Sequence, residues 1–217
     1  MKVLVFNGWA AGPEAWALTT FPHDWLFDYL EQLDGLPERV LDDSDEVLLV
    51  GFSMGGSTAL RMLLRAPEKV RGLVLVSATP RMMEDCDALW RGMSPRRLEA
   101  LRLGTRMQFA DDPSPMYREA NLERGLDYLR KTDLRAALTD LAARGGRRFP
   151  VAVFQSERDG IVRPQNAEFL KKVFPHAEVF MIPGAEHVLP VTIPERIDAA
   201  VSAILRMSST TYAPART

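Results

Sequence analysis

The segment that decides the fold is Glu46-Val-Leu-Leu-Val-Gly51-Phe-Ser53-Met-Gly55-Gly56, followed directly by Ser-Thr-Ala-Leu-Arg-Met-Leu-Leu-Arg. The apolar run 47–50 predicts a buried strand, and residues 57–65 have the spacing of a helix. A Gly-x-Ser-x-Gly motif between a strand and a helix is typical of a tight turn that presents the serine hydroxyl. Glycines suit this turn because a Cβ atom would collide with the backbone as it reverses. We therefore expect Ser53 to be a nucleophile; the alternative is a glycine-rich turn that serves packing alone.

Length and composition bound the class of protein. With 217 residues, 47% of them hydrophobic and 26% charged, the chain suits one α/β domain with a sizeable core. No apolar run approaches the ~20 residues that cross a membrane and no signal peptide is visible, so we expect a cytoplasmic protein without membrane contacts. The single Cys86 cannot form an internal disulfide, and the three scattered histidines predict no metal site and no cofactor. The net charge of −2 argues against binding to nucleic acid.

Strand and helix patterns alternate along most of the chain. The alternation predicts an α/β fold with a mostly parallel, doubly wound sheet. The predicted strands are 2–6, 25–30, 47–50, 70–77, 150–154 and 178–182, and the predicted helices between and after them are 57–65, 166–174 and 194–207.

Residues 80–148 interrupt this alternation with helical patterns and no convincing strand. They carry 14 Lys and Arg against 11 Asp and Glu, whereas the rest of the chain is acidic. We expect a core formed by 1–79 and 149–207, a helical cap or lid over the strand ends formed by 80–148, and a frayed tail at 208–217.

A serine nucleophile needs a base, and the base needs an acid that orients it. Asp159 follows the predicted strand 150–154, and His187 follows 178–182, which brings both to the sheet edge where open α/β sheets build their sites. The order Ser53, Asp159, His187 is the order expected when the nucleophile sits on this kind of turn. The predicted catalytic residues are therefore Ser53, Asp159 and His187.

Other candidates for the base and the acid stay open at this point. His176 precedes a strand and so falls at the opposite sheet edge, while His23 comes too early for the expected order. Glu157 is an alternative to Asp159, although Asp159-Gly160 has the better turn chemistry.

Two backbone N–H groups are expected to hold the oxyanion. One is that of Met54, directly after the nucleophile, and the other is that of Trp9, in the Asn7-Gly8-Trp9 loop after the first strand. The side chains of Trp9 and Met54 are expected to contact the acyl group of the substrate, with Phe109 as a further substrate-binding candidate, although all three could simply pack in the core.

With these residues in order the chain resembles an α/β-hydrolase. Further segments resemble one family within it, the pimeloyl-[acyl-carrier protein] methyl ester esterases of biotin synthesis. Those segments are Asn7-Gly-Trp9, Ser77-Ala-Thr-Pro80 and Glu123-Arg-Gly-Leu-Asp-Tyr-Leu-Arg-Lys-Thr-Asp-Leu-Arg-Ala-Ala-Leu138. The chain departs from the family in having Asn7 where a histidine is usual, and in a short stretch 25–45, which predicts a lost or reduced sheet helix.

The resemblance implies a carboxylesterase that releases methanol from a carrier-linked pimeloyl ester. Acyl carrier proteins are acidic, so a basic cap face would dock one as a partner. The candidate docking residues, which also suit solvated faces of amphipathic helices, are Arg91, Arg96, Arg97, Arg102 and Arg106.

Two other functions compete with this interpretation. One is a general carboxylesterase or lipase-like hydrolase of small free esters without a carrier partner. The other is a protein of the same fold that binds a ligand without catalysis, which the presence of all three catalytic side chains disfavours. A hydrolytic dehalogenase is disfavoured because its nucleophile at Ser53 would be an aspartate. We expect a monomer.

Overall fold

Six parallel strands form the framework of the protein, in a computed structural model that describes residues 1–81, 119–145 and 148–210. Their order across the sheet is β2-β1-β3-β4-β5-β6, and each neighbouring pair is parallel. The strands are β1 (Lys2–Phe6), β2 (Trp25–Phe27), β3 (Val47–Phe52), β4 (Val70–Val76), β5 (Val151–Ser156) and β6 (Glu178–Ile182). The predicted α/β fold with a doubly wound parallel sheet is thus confirmed.

Helices connect the strands within the described residues. The turn Pro13–Trp16 is a 3-10 helix between β1 and β2. The α-helices are α1 (Tyr29–Leu33), α2 (Leu36–Asp42), α3 (Met54–Arg65), α4 (Glu119–Lys131), α5 (Arg135–Ala143), α6 (Gln165–Val173), α7 (Leu189–Thr192) and α8 (Pro194–Thr210).

The order of the strands creates a switch point between β1 and β3. From β1 the chain moves outward to the edge strand β2, and it then returns to the other side of β1 to form β3. The connections that leave β1 and β3 therefore diverge at the carboxyl edge of the sheet. In open α/β sheets ligands bind in the crevice that such a divergence leaves.

Both faces of the sheet are buried, because successive strand residues point to opposite sides. On one face Leu4, Leu49 and Leu73 pack against α2, α3, α5 and α6. On the other face Val5 and Val50 pack against the Pro13–Trp16 turn and α8. Residues 47–52 of β3 are buried throughout, which explains the continuous apolar run.

The segment between β2 and β3 differs in detail from the sequence prediction. The expected strand 25–30 ends at Phe27, because Asp28 caps α1: its side chain accepts the Glu31 N–H, and the Glu31 side chain accepts the Asp28 N–H. The sequence predicted that a sheet helix before β3 is lost or reduced. The structure has two short helices there, α1 and α2. Helix α2 covers the sheet with Val40 and Leu41.

The two described helices of the predicted cap pack differently from each other. Helix α4 lies over the loop after β1, where its Leu122 and Leu129 join Tyr29 and Met54 in a small apolar cluster. Helix α5 places the fully buried Leu138 in the cluster that covers the sheet. The division of the chain at residues 80 and 148 stays a prediction, and α5 packs with the helix layer of the core.

In the described part of the chain, helices long and apolar enough to cross a membrane are absent.

Candidate active site

Ser53 occupies a strained turn between β3 and α3. Its φ of 54° and ψ of −119° lie in a region that residues with a Cβ atom rarely adopt. The Ser53 N–H donates to the Val76 carbonyl oxygen at 2.9 Å, which ties the turn to β4. A Cβ atom on Gly51 would lie 2.5 Å from the Gly55 carbonyl oxygen, so the turn requires glycine there. Helix α3 also approaches the end of β1 closely, because a Cβ atom on Gly55 would overlap the Phe6 carbonyl oxygen and lie 2.6 Å from the Asn7 carbonyl oxygen.

A chain of hydrogen bonds joins Ser53 to two side chains from distant segments. His187 Nε2 lies 2.9 Å from Ser53 Oγ, and His187 Nδ1 lies 2.8 Å from Asp159 Oδ2. An ionised carboxylate only accepts hydrogen bonds, so Nδ1 carries the ring proton and Nε2 is left to accept from the serine hydroxyl. This is the arrangement in which an imidazole can remove the proton of a nucleophilic serine.

Asp159 is buried and held in an ionised state. Its Oδ1 accepts the N–H groups of Ile161 (2.9 Å) and Val162 (2.8 Å), while Gln155 Nε2 approaches Oδ2 at 3.4 Å. Burial raises the pKa of Asp159, but the hydrogen bond and charge of His187 together with the two backbone donors outweigh burial and lower that pKa below its usual value. The carboxylate therefore stays charged at neutral pH and fixes the orientation of the imidazole.

The competing candidates lie away from this constellation. The exposed His176 lies before β6, and its Nε2 is 2.8 Å from the Phe149 carbonyl oxygen, near the amino end of β5. His23 is exposed and contacts the edge of the Phe21 ring. Glu157 is exposed, whereas Asp159 bonds the imidazole.

The loop after β1 passes directly over the nucleophile. A Cβ atom on Gly8 would lie 3.1 Å from Ser53 Cβ, a tight contact that favours glycine at this position. Trp9 is the next residue, and Met54 on the other side of Ser53 begins α3. The N–H groups of a first helical turn have no partner inside the helix and favour negative charge. Gly8 and Met54 thus adjoin Ser53, and an oxyanion hole formed by the N–H groups of Trp9 and Met54 stays a prediction.

Asn7 holds this loop from within. Its Nδ2 donates to the Gly12 carbonyl oxygen at 2.7 Å, and its Oδ1 accepts from Trp16 Nε1 at 2.9 Å. The Asn7 carbonyl oxygen accepts from Gln32 Nε2 at 2.9 Å. Asn7 is fully buried, and both ends of its amide are used. The asparagine therefore fastens both ends of the turn that carries Gly8 and Trp9.

The side chain of Trp9 packs beneath α4. Its Nε1 donates to the Leu122 carbonyl oxygen at 3.0 Å, and a Cβ atom on Gly125 would lie 2.8 Å from the same nitrogen. Met54 is buried in the neighbouring cluster with Leu122. Contact of Trp9 and Met54 with a substrate stays a prediction, and so do all of the assigned catalytic roles.

The remaining predicted site residues lie outside the described residues. They are Phe109, Arg91, Arg96, Arg97, Arg102 and Arg106. Within the described ranges, groups of three or more His, Cys, Asp or Glu side chains that could hold a metal ion are absent.

Sequence reasoning missed several residues that support the site. Gln155 contacts Asp159, and the hydroxyls of Ser77 and Ser156 bond the loop that carries His187. Each of the three is a polar residue at the carboxyl end of an otherwise apolar strand pattern. That position was the available signal, since polar side chains there point toward the site.

Comparison with known protein families agrees with the geometry. The model of the alpha/beta hydrolase family matches residues 4–200. The chain belongs to the α/β hydrolase family. Solved structures of this α/β hydrolase fold resemble it over most of its length: a hydrolase from Oleispira antarctica (16% identity, TM-score 0.69) and a thermophilic esterase (21% identity, TM-score 0.61). They cover 94% and 95% of the chain, and 90% of each of their own chains is matched.

Curated relatives of this α/β hydrolase carry a more specific name. The pimeloyl-[acyl-carrier protein] methyl ester esterase of Yersinia enterocolitica is 28% identical over 206 residues, covering 82% of the chain and 77% of the relative. The protein of the same name from Nitrosospira multiformis is 26% identical over 200 residues, covering 77% of the chain and 73% of the relative. The resemblance to this esterase family is thereby confirmed.

Proposed function

We propose that this α/β hydrolase is a serine carboxylesterase that hydrolyses the methyl ester of pimeloyl-[acyl-carrier protein] in biotin precursor synthesis. The observation that carries the proposal is the unbroken hydrogen-bond chain from Ser53 Oγ through His187 to Asp159. The names of the relatives support the choice of ester.

The reaction follows from the positions of these groups. His187 Nε2 takes the proton of Ser53 as Oγ attacks the ester carbonyl, and the N–H groups of Met54 and Trp9 stabilise the oxyanion. One such donor contributes about 3 kcal/mol to transition-state stabilisation. The protonated imidazole then gives its proton to the departing methoxy oxygen, which leaves as methanol. His187 next removes a proton from water, whose oxygen attacks the acyl-enzyme carbonyl. The imidazolium returns this proton to Ser53 Oγ as the acyl–oxygen bond breaks, which frees the acid and restores Ser53.

The roof over the site is part of the proposal. We take residues 80–148 as the segment that encloses the acyl chain; of its two described helices, α4 lies over Trp9 and would form part of this cover. The five arginines between 91 and 106 would dock the acidic carrier protein, and Phe109 would contact the acyl chain. Charge complementarity supports this assignment, because residues 91–106 carry these five arginines and a single carboxylate, Glu99.

The decisive test of the chemistry uses matched pairs of variants. Ser53→Ala is expected to abolish ester hydrolysis and labelling by a fluorophosphonate probe, because no other group replaces the attacking oxygen. Asp159→Asn and His187→Gln should lower kcat by at least 10³-fold, since each breaks the triad. Their controls Glu157→Gln and His23→Gln change exposed side chains and should retain activity. Full activity in Ser53→Ala would refute the proposed nucleophile, and a protein that neither labels nor hydrolyses esters would be a binding protein.

A second experiment separates the carrier-linked substrate from small free esters. Turnover of pimeloyl-[acyl-carrier protein] methyl ester is compared with that of free monomethyl pimelate and a p-nitrophenyl ester. We expect a much higher kcat/KM for the carrier-linked ester, and rescue of a biotin-requiring strain that lacks the esterase. Changing Arg96 and Arg97 to Glu should raise KM for the carrier-linked ester only, most strongly at low salt. Equal turnover of all three substrates would instead assign a general carboxylesterase.

A further inference from the structure

Ser77 has a backbone conformation that is unusual for a residue with a side chain. It follows β4, it is fully buried, and its φ is 44°. Its N–H donates to the Phe154 carbonyl oxygen at 2.8 Å, which continues the pairing of β4 with β5. A left-handed residue in such a place is usually glycine, because a Cβ atom is strained there. A serine at this strained position indicates that its hydroxyl makes a contact that glycine could not make.

The Ser77 hydroxyl reaches the backbone of the proposed base. Ser77 Oγ donates to the His187 carbonyl oxygen at 3.0 Å across 110 residues of sequence. Ser156, which ends the neighbouring strand β5, makes the equivalent contact two residues earlier, because its Oγ donates to the Ala185 carbonyl oxygen. Both serines are fully buried. Two hydroxyls from adjacent strand ends thus hold two carbonyl groups of the loop 183–188.

We propose that Ser77 and Ser156 are positioning residues, which fix the loop so that the His187 imidazole reaches Ser53 Oγ and Asp159 together. The inference rests on the proposed function. Two contacts orient the imidazole: its hydrogen bond to Asp159, and the Phe52 ring, whose centroid lies 5.2 Å from that of the imidazole. Both act on the side chain, and neither fixes the position of the backbone of the loop 183–188 relative to the sheet. The two hydroxyls supply that restraint, since each binds the loop backbone itself.

Substitutions at Ser77 can separate positioning from stability. Ser77→Gly removes the hydroxyl and relieves the backbone strain, while Ser77→Ala removes the hydroxyl and keeps the strain. Both should lower kcat for a p-nitrophenyl ester about tenfold with KM unchanged. The melting temperature of Ser77→Gly should exceed that of Ser77→Ala by a few degrees. Ser77→Thr keeps the hydroxyl on a more strained residue. It should therefore be less stable than Ser77→Gly and yet have the higher kcat of the two.

Ser44→Ala is the matched control. Ser44 is also buried, and its Oγ donates to a backbone carbonyl oxygen, that of Val40, at 2.6 Å in the segment before β3. Its loss should lower the melting temperature and leave kcat unchanged. Ser156→Ala should lower kcat as the Ser77 variants do.

Either of two results would overturn the proposal. One is that kcat rises and falls with the melting temperature among the Ser77 variants, whether or not the hydroxyl is present. The other is a wild-type kcat in both Ser77→Gly and Ser156→Ala. Failure of the proposed function has a different signature, because the wild-type protein would then not be labelled at Ser53, and any esterase activity it has would persist in Ser53→Ala. The labelling rate of Ser53 by a fluorophosphonate is the second measurement, and it should fall with kcat in Ser77→Gly.

Discussion

Gly125 lies in the interior of α4, where alanine would normally be preferred. Replacing a glycine inside a helix by alanine stabilises a protein by about 1 kcal/mol when the new methyl group meets nothing. At Gly125 the methyl group would overlap Trp9 Cδ1 and lie 2.8 Å from Trp9 Nε1 and 3.3 Å from Tyr29 Cδ2. Such overpacking costs about 1–3 kcal/mol. If the indole moves away, its hydrogen bond to the Leu122 carbonyl oxygen is lost as well, at about 1 kcal/mol.

The expected net effect of Gly125→Ala is a loss of about 1–3 kcal/mol in the free energy of unfolding. For a protein of this size that corresponds to a melting temperature lower by about 2–12 °C. The same substitution in a Trp9→Ala background should be stabilising, because the indole that opposes the methyl group is gone. The sign of the effect of Gly125→Ala therefore reverses between the two backgrounds.

The assay is a double-mutant cycle measured by urea unfolding and by hydrolysis of a p-nitrophenyl ester. We expect a coupling free energy of about 2–4 kcal/mol between Gly125 and Trp9. Gly125→Ala should also reduce kcat, since moving the indole would shift the backbone N–H of Trp9, which is proposed to hold the oxyanion. A stabilising Gly125→Ala in the wild-type background would refute the reasoning, because the indole would then not be pressed against the helix.

Three further predictions concern the residues that build the site. The pKa of Asp159 is lower in the folded state than in the unfolded state, so its ionised form stabilises the fold above about pH 4, the unfolded-state pKa. This stabilisation is lost as the pH falls through the lower pKa of the folded state. Urea midpoints measured between pH 5 and 2 should therefore fall less in Asp159→Asn than in Glu157→Gln. Gly55→Ala should abolish folding or activity by pushing α3 off the end of β1, whereas Gly160→Ala, whose methyl group would meet nothing within 4 Å, should be neutral in both thermal unfolding and turnover. Asn7→Ala should cost about 2 kcal/mol, because it leaves the buried Trp16 Nε1–H unpaired and removes one of two donors to the Gly12 carbonyl oxygen; unchanged stability in urea unfolding would contradict this.

Much of the fold could be predicted because the four inner strands of the parallel sheet are largely buried on both faces. The apolar runs of β3 and β4 and the glycines around Ser53 located the turn directly. Asp159 and His187 could be proposed as partners of Ser53 because each follows a strand, and parallel strands end at a common edge. The structure brings these three side chains together, and their catalytic roles remain to be tested.

Other features depended on contacts that no local pattern contains. The short helix α1 replaces part of a predicted strand because the Asp28 cap and its reciprocal bond with Glu31 outweigh the apolar character of residues 25–30. The bonds of Asn7 with Gly12 and Trp16 require knowledge of how the loop folds back on itself. The packing of Leu138 against the sheet likewise depends on where α5 lies, and its sequence alone suited a cap equally well.

The hydrogen bond between Ser53 and His187 joins residues 134 positions apart in the chain. During synthesis the strained turn at Ser53 leaves the ribosome well before the strand that precedes its imidazole, and non-local pairing of parallel strands is slow. A nascent chain that has completed only β1 to β4 therefore holds Ser53 without the imidazole that the proposed mechanism requires. Under that mechanism hydrolysis needs β5 and β6 in place, so the return of activity during refolding would report that the sheet has assembled as far as β6.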